Sequence, residues 1–212
     1  MTEKKPLKGS LTVVSGFSGA GKGTLMRELL KNHDCYALSV SMTTRAPREG
    51  EVNGREYFFV TQEEFDQTIQ ENGFLEYAGY VNHSYGTPRR YVEEQIAAGK
   101  DVLLEIEVQG AMQILKAMPE ANTVFVITPS AEELRRRLIG RGTETAESLA
   151  GRLARAVEES EYIPFYQHLL VNDNLEEAAE RLHALIQESK EERAFVEQFR
   201  KELRSSIDQS RQ

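Results

Sequence analysis

The 212-residue sequence contains a single cysteine, Cys35, and only four histidines, which stand far apart along the chain. A lone cysteine cannot form an internal disulfide, and the spacing of the histidines matches no pattern typical of zinc ligands. The sequence therefore predicts neither a disulfide framework nor a zinc site.

Positive charge is also scarce. The chain has 26 lysines and arginines against 34 aspartates and glutamates, which gives a net charge of -8. Such a chain lacks the overall basic field that favours nonspecific binding to nucleic acids or to anionic membranes. We therefore expect no nucleic-acid partner.

Long apolar segments are missing near the start of the chain. The first ten residues, MTEKKPLKGS, are charged and precede a short segment of strand character. They contain neither the apolar region of a signal peptide nor a stretch that could span a bilayer. These features predict a soluble cytoplasmic protein without a membrane partner, and the length fits a single domain.

Short apolar, β-branched segments alternate with segments of helical periodicity. The first helix is predicted to run from Gly21 to about His33, and the last to begin at Leu175. Such alternation is typical of βαβ units around a parallel sheet, so the predicted fold class is α/β. The predicted strands cover residues 10–15, 36–40, 102–108, 123–127 and 168–171.

Two segments interrupt this alternation. Residues 43–90 combine turn signals with aromatic strand-like stretches and predict a small insertion with a mixed sheet and one or two short helices. Residues 140–155 are polar and begin with glycine, which predicts a mobile flap.

The last segment, residues 187–212, has helical periodicity amid many charges. It either docks on the domain, pairs with a second subunit to give a homo-oligomer, or frays. Its apolar positions on one helical face are Val196, Phe199, Leu203 and Ile207.

The segment GFSGAGKGT follows the first predicted strand and opens the first predicted helix. It matches the phosphate-binding pattern G-x-x-x-x-G-K, in which glycines let the backbone aim N–H groups at phosphate oxygens. The helix N-terminus adds a positive dipole end, and Lys22 adds a charge that can follow the β- and γ-phosphates. The predicted ATP-binding residues here are Gly16, Phe17, Ser18, Gly19, Ala20, Gly21, Lys22, Gly23 and Thr24.

This phosphate loop leaves two questions open. The strict pattern has Ser or Thr directly after the lysine, whereas Gly23 stands between Lys22 and Thr24. The magnesium ligand is therefore either Thr24, or water together with Glu105. Because ATPases and GTPases share the loop, it predicts phosphate binding without specifying a reaction.

Two arginines, Arg45 and Arg48, and the nearby Tyr57 form a second candidate phosphate site. Arginine side chains match phosphate oxygens in bidentate geometry, and a tyrosine hydroxyl can complete the set. Judged by these residues alone, a solvated surface loop is the alternative.

Six segments together resemble guanylate kinases, in order and in spacing. The resemblance covers residues 10–186 and implies transfer of the ATP γ-phosphate to GMP and dGMP, with Mg²⁺ as cofactor. It also implies a core of residues 8–42, 91–139 and 156–186, a GMP-binding subdomain at 43–90 and a lid at 140–155. The segments are GFSGAGKGT, SVSMTTRAPREGEVNGREYFFV, FLEYAGYVNHSYGTP, LLEIEVQGA, RGTETAESLAGRL and VND.

The resemblance also implies which residues bind GMP. Guanine presents N1–H and N2–H donors that a carboxylate at Glu76 can accept, while hydroxyls at Ser41 and Thr87 can approach the other edge. Adenine would place its N1 lone pair against that carboxylate, so we expect strong discrimination between the bases. The implied GMP-binding residues are Ser41, Arg45, Arg48, Tyr57, Glu76, Tyr85, Thr87 and Glu107.

Glu105 and Glu107 lie two apart in a predicted strand, so they are expected to point to the same face. The carboxyl end of such a strand is where α/β sheets bind ligands. We assign Glu105 to the magnesium site, directly or through water, and Glu107 to the nucleotide, with exposure at the sheet edge as the alternative.

Further residues match the family in the lid and after the last core strand. Arg137, Arg141 and Arg152 would surround the transferring phosphoryl group, whose spread charge needs cations. Asn172 and Asp173 fall where the family holds the ATP base or ribose, although Asn-Asp after a strand is also a good turn and helix cap. The predicted catalytic residues are Lys22, Arg45, Arg137, Arg141 and Arg152.

Two other functions are compatible with this fold class. Guanylate-kinase-like domains also serve as catalytically inactive scaffold modules, but the intact loop with Lys22 argues against that function. Kinases of the same fold can use AMP or a phosphorylated sugar as acceptor, and here Glu76, Ser41 and Thr87 argue against such an acceptor.

Overall fold

The structure is a computed structural model that describes residues 9–80, 82–140 and 146–210. Its strands are β1 (Leu11–Gly16), β2 (Tyr36–Leu38), β3 (Ser41–Thr43), β4 (Tyr57–Phe59), β5 (Phe74–Tyr80), β6 (His83–Pro88), β7 (Asp101–Glu105), β8 (Asn122–Ile127) and β9 (His168–Val171). Its helices are α1 (Lys22–Asn32), α2 (Gln62–Gln70), α3 (Arg89–Ala97), α4 (Val108–Ala117), α5 (Ala131–Ile139), α6 (Ala146–Ser160) and α7 (Leu175–Ser210), with a 3-10 turn at Ile163–Phe165.

A parallel sheet in the order β2-β7-β1-β8-β9 forms the centre of the protein. Alternate side chains of β1 point to opposite faces, so Val14 packs with α1 and α7 while Val13 packs with α3 and α4. The β-branched and apolar strands are buried on both faces, as expected for a parallel sheet covered by helices. The predicted α/β core is confirmed.

The insertion forms a second sheet in the order β4-β3-β6-β5. Strands β3 and β4 are parallel, while β6 runs antiparallel to both β3 and β5, so the predicted mixed sheet is confirmed. The predicted strand at 36–40 ends earlier, at Leu38, and the chain enters the second sheet at Ser41.

The predicted strand at 102–108 is wrong at its end. Strand β7 stops at Glu105, and Glu107 is the N-cap residue of α4, which begins at Val108. Glu105 and Glu107 therefore do not share one face of a strand. The alternation of Ile106 and Val108 with the two glutamates mimics strand periodicity, but Val108 is buried as the first residue of a helix.

Helices α6 and α7 run through two of the predicted segment boundaries. Helix α6 continues past residue 155 to Ser160, and α7 continues past residue 187 to Ser210. The cap of α7 is Asn174, whose Oδ1 accepts hydrogen bonds from the backbone N–H groups of Glu176 and Glu177 at 3.0 and 3.1 Å. Across the described ranges, no helix has both the length and the apolar character needed to cross a membrane.

Candidate functional site

The phosphate loop joins β1 to α1 and depends on backbone conformations that favour glycine. Gly19 and Gly21 have φ values of 90° and 89°, in the left-handed region. A Cβ on Gly16 would lie 2.1 Å from the carbonyl oxygen of Val126 in the neighbouring strand. Since α1 begins at Lys22, its first-turn N–H groups lack partners within the helix and are suited to bind phosphate oxygens.

Lys22 folds back over this loop. Its Nζ donates hydrogen bonds to the carbonyl oxygens of Gly16 at 2.5 Å and Phe17 at 3.3 Å. The ammonium group therefore lies at the loop that the motif predicts it to serve.

Two of the predicted lid arginines also lie beside the phosphate loop. Arg152 Nη1 donates to Ser18 Oγ at 3.2 Å, and Arg137 Nη1 is 3.9 Å from the position of a Cβ on Gly21. The third, Arg141, lies outside the described residues.

Glu133 holds Arg137 in this position. Its Oε1 accepts a hydrogen bond from Arg137 Nε at 2.7 Å, and it also pairs with Arg136. The hydrogen bonds from Arg136 and then Arg137 lower the pKa of Glu133 to about 2, so its carboxylate stays ionised across the neutral range.

Asn172 is buried against the phosphate loop and stabilises it. It is only 4% exposed, and its Nδ2 donates to the carbonyl oxygen of Ala20 at 2.8 Å. Asp173, the next residue, is exposed. The predicted contacts of both residues with ATP stay predictions, and the observed role of Asn172 is to brace the phosphate loop.

Glu105 ends β7 beside the start of α1. Its two carboxylate oxygens lie 3.7 and 3.8 Å from the position of a Cβ on Gly23, which is ordinary van der Waals distance. Burial raises the pKa of Glu105 above its ordinary value, although the positive charges of Lys22 and Arg27 partly oppose that rise. Thr24 Oγ1, one residue further along α1, accepts a hydrogen bond from Arg27 at 3.1 Å.

Glu105 and Thr24 thus bring a carboxylate and a hydroxyl to the same end of the phosphate loop. Within the described ranges, no three His, Cys, Asp or Glu side chains are grouped so that they could hold a metal ion.

The second sheet contains a buried carboxylate. Glu76 on β5 is 7% exposed, and its Oε1 accepts a hydrogen bond from Thr87 Oγ1 on β6 at 2.6 Å. Burial raises the pKa of Glu76, and the hydrogen bond from Thr87 opposes that rise. Ser41 lies one register step beyond the Met42–Gly86 pair, so it falls in the same row of the sheet as Thr87.

Gly110 on α4 makes room for this carboxylate. A Cβ on Gly110 would lie 2.7 Å from Glu76 Oε2, closer than any side chain tolerates without movement. The segment between Glu105 and Gly110 therefore connects the phosphate loop with the second sheet.

The arginine and tyrosine cluster is also assembled. Arg45 Nη2 pairs with Glu51 Oε1 at 2.9 Å, and its guanidinium lies 5.3 Å from the centre of the Tyr57 ring. Glu51 also accepts a hydrogen bond from the backbone N–H of Arg48 at 2.7 Å. The Tyr57 and Tyr85 rings meet edge to face with centroids 5.9 Å apart. Glu51, which the sequence analysis missed, organises this cluster.

Glu107, the N-cap residue of α4, links this helix to α6. Its Oε2 accepts a hydrogen bond from Arg155 Nη2 at 2.8 Å, and Arg155 Nε also donates to Glu159 at 3.2 Å. Burial, followed by the charge of Glu107, raises the pKa of Glu159. Arg155 and Glu159 line a cleft of about 460 Å³ between α4 and α6.

The sequence analysis missed Glu51, Gly110, Glu133 and Arg155. Glu133 precedes Arg137 by one helical turn, so i,i+4 pairing on a predicted helix could have found it. Gly110 and Arg155 depend on contacts with residues more than 30 positions away, for which the local pattern gives no signal.

Comparison with known proteins agrees with this geometry. The family model for guanylate kinase matches residues 8–189. A guanylate kinase of Clostridioides difficile is 45% identical over 201 residues, covering 92% of this chain and 98% of that protein. A guanylate kinase of Synechocystis is 48% identical over 186 residues, covering 88% and 97%.

A solved structure agrees as well. The crystal structure of a guanylate kinase from Anaplasma phagocytophilum aligns with a TM-score of 0.67 and 33% sequence identity, over 87% of each chain. The family and the fold class predicted from the sequence are both confirmed.

Proposed function

This chain belongs to the guanylate kinase family, and we propose that it transfers the γ-phosphate of ATP to GMP and dGMP, giving ADP and the diphosphate. The predicted enzyme class, a nucleoside monophosphate kinase, is confirmed by this membership. The observation that best supports the choice of acceptor is the buried Glu76 carboxylate, held by Thr87 and given room by Gly110.

Recognition of the base follows from the hydrogen-bonding capacity of this carboxylate. Guanine N1–H and N2–H donate to Glu76, while the hydroxyls of Thr87 and Ser41 lie in the adjoining row. AMP would leave the buried carboxylate without these donors, which costs binding free energy. The 2′-hydroxyl of the ribose takes no part in this pairing, so the proposal includes dGMP.

The acceptor phosphate is assigned to Arg45, Arg48 and Tyr57. The second pKa of a phosphate monoester is about 6, so GMP is mainly a dianion at neutral pH and needs no general base. Catalysis then consists of aligning the two nucleotides and stabilising the charge that spreads over the transferring group. We assign the stabilisation of this charge to three cations beside the phosphate loop, Lys22, Arg137 and Arg152.

Mg²⁺ is the proposed cofactor. Thr24 and Glu105 would hold it, directly or through water, together with the ATP phosphates. When bound, the ion would supply positive charge that offsets the negative charge of the phosphates. The closeness of the Glu105 carboxylate to Gly23, the residue between Lys22 and Thr24, supports this assignment.

The test is a coupled assay of ADP release with GMP, dGMP, AMP, UMP and CMP as acceptors, each with Mg²⁺ and with excess EDTA. We expect the highest kcat/KM with GMP, strong activity with dGMP, and turnover with AMP lower by about a thousandfold or more. A preference for AMP would identify a kinase of the same fold with another acceptor. Absence of turnover with every acceptor, in protein that still binds GMP, would identify a scaffold module.

A further inference from the structure

Helix α4 contacts the outer edge of the second sheet through one glutamine. Strand β5 is an edge strand of that sheet, so the backbone N–H and C=O groups along its outer side need partners from outside the sheet. Gln113 on α4 supplies both partners at Tyr77. Its Oε1 accepts a hydrogen bond from the Tyr77 N–H at 3.2 Å, and its Nε2 donates to the Tyr77 carbonyl oxygen at 3.1 Å.

The side-chain amide of Gln113 thus takes the place of a neighbouring strand at this point. It carries an acceptor oxygen and N–H donors, as a peptide unit does, and can therefore pair with both backbone groups of one residue. The ring of Tyr77 packs elsewhere, with its centroid 6.5 Å from that of Phe65 and 6.0 Å from that of Phe74. The backbone of Tyr77 is therefore tied to α4, while its ring is tied to the insertion.

Gln113 and Gly110 act on neighbouring residues of β5. Gly110 lies three positions before Gln113, so both fall on one side of α4. Gly110 leaves the space that Glu76 Oε2 occupies, and Gln113 holds the backbone of the residue that follows Glu76. One side of α4 therefore sets the position of the Glu76 carboxylate, because Gln113 fixes how the strand lies against the helix and Gly110 permits the close approach.

We propose that Gln113 is a positioning residue for base recognition, which holds β5 against α4 so that the Glu76 carboxylate meets the N1–H and N2–H donors of guanine. Gln113 acts through Glu76 and not through contact with the nucleotide. The inference rests on the proposed function, since it concerns the same acceptor pocket. It makes the choice of base depend on an exposed amide on the far side of β5 from Thr87 and β6.

Gln113→Met tests this role. Methionine has a similar length and helix propensity but lacks the amide N–H and C=O groups. We expect KM for GMP to rise about three- to tenfold, because the carboxylate loses its exact position, while kcat at saturating GMP and KM for ATP stay unchanged. Gln67→Met is the matched control. It removes an exposed amide that donates to Glu71 at 2.8 Å on α2 of the same insertion, and should change none of these constants.

Comparison of GMP with IMP separates base positioning from general damage to the fold. IMP has the N1–H donor of GMP but lacks the N2 amino group, so the ratio of their kcat/KM values measures how well Glu76 accepts from N2. This ratio should fall about threefold or more in Gln113→Met. A variant that had merely lost stability would show a lower Tm and a smaller active fraction with the ratio unchanged.

Amide exchange measured by NMR without nucleotide tests the contact itself. The Tyr77 N–H should exchange faster in Gln113→Met than in the wild type, and Gln67→Met should match the wild type. Unchanged exchange at Tyr77, an unchanged KM for GMP, or a raised KM with an unchanged ratio of GMP to IMP would each overturn the inference. A wild-type preference for an acceptor other than GMP would instead refute the proposed function, and with it this role of Gln113, even where exchange shows the contact to be present.

Discussion

The acceptor and donor halves of the site are built differently. On the acceptor side, the base-binding carboxylate Glu76 is buried and bonded to Thr87 within one sheet, so strand register fixes its position. On the donor side, Lys22, Arg137 and Arg152 contact loop carbonyls, a helix carboxylate and a serine hydroxyl. We expect base recognition to be preorganised, and the donor-side cations to exchange protein contacts for phosphate oxygens when ATP binds.

Lys22→Ala should break the donor half with the largest effect. Removing a cation from the transferring phosphoryl group should lower kcat by about 100- to 1,000-fold. Calorimetry should show unchanged GMP affinity, because the acceptor pocket lies in the other sheet. Lys31→Ala, an exposed lysine of the same helix, is the matched control and should leave kcat unchanged. An equal loss of GMP affinity in Lys22→Ala would refute the division into two halves.

Glu76→Gln should break the acceptor half. An amide can accept one hydrogen bond from guanine but sets its own N–H donors against the base, so kcat/KM for GMP should fall about 10- to 100-fold. The KM for ATP should stay the same, which initial-rate kinetics with each substrate varied would establish. If activity with AMP fell in the same proportion as activity with GMP, Glu76 would not be selecting the base.

Gly110→Ala tests the acceptor half without touching a polar group. The new methyl group would lie 2.7 Å from Glu76 Oε2 and displace the carboxylate, so KM for GMP should rise about tenfold. The matched control is Gly151→Ala in α6, where a Cβ meets open space. That control should leave KM unchanged and stabilise the helix by about 0.5–1 kcal/mol. Equal effects of the two variants on KM would show that Gly110 has no special relation to Glu76.

Arg155→Ala tests to which half of the site the contact between α4 and α6 belongs. Arg155 holds Glu107 against α6, and both side chains are substantially exposed, so this pair contributes at most about 1 kcal/mol. Arg155 also pairs with Glu159, whose side chain is largely buried. We expect KM for GMP to rise by up to about fivefold while KM for ATP is unchanged. Arg90→Ala, the control, removes an exposed ion pair with Glu94 on α3 and should change neither constant. A rise confined to the KM for ATP would assign Arg155 to the donor half.

Local signals in the sequence were sufficient for the phosphate loop of the donor half, whereas Arg137 and Arg152 were expected from the family resemblance. The glycines of the motif predicted a loop whose backbone aims N–H groups at phosphate oxygens, and Gly19 and Gly21 in this loop have left-handed backbone conformations. The strand before the loop and the helix after it followed from periodicity, since each buries a regular pattern of apolar residues. The position of Lys22 at the loop then followed from the motif.

The acceptor half depended more on contacts that a local pattern cannot encode. The carboxylate at Glu76 was expected from a family resemblance, but its burial under Gly110 joins residues 34 positions apart. At Glu107 the local pattern gave a wrong signal. Ile106 and Val108 continue a strand-like alternation up to the point where α4 begins, so the predicted strand was too long. Only packing of Val108 against the core decides between the two structures.

The smallest expected effect is a change in the thermal stability of Glu76→Gln. The burial of Glu76 decides whether this variant is more or less stable than the wild type. Burial raises the pKa of this carboxyl in the folded protein, so the folded chain holds the proton more tightly than the unfolded chain. Stability is therefore lost as pH rises from the unfolded value, about 4.3, through the raised folded value. Glu76→Gln carries no such titration, so its Tm without ligand should exceed that of the wild type at neutral pH.

This difference in Tm should shrink as pH falls below about 4, where the carboxyl becomes mostly protonated in both states. Thermal unfolding followed by circular dichroism across this range measures it. A lower Tm for Glu76→Gln at neutral pH would mean that the hydrogen bond from Thr87 to the carboxylate outweighs the cost of burying the charge. The expected result, higher stability with weaker GMP turnover, would show that the acceptor half maintains a buried charge for recognition at a cost to the fold.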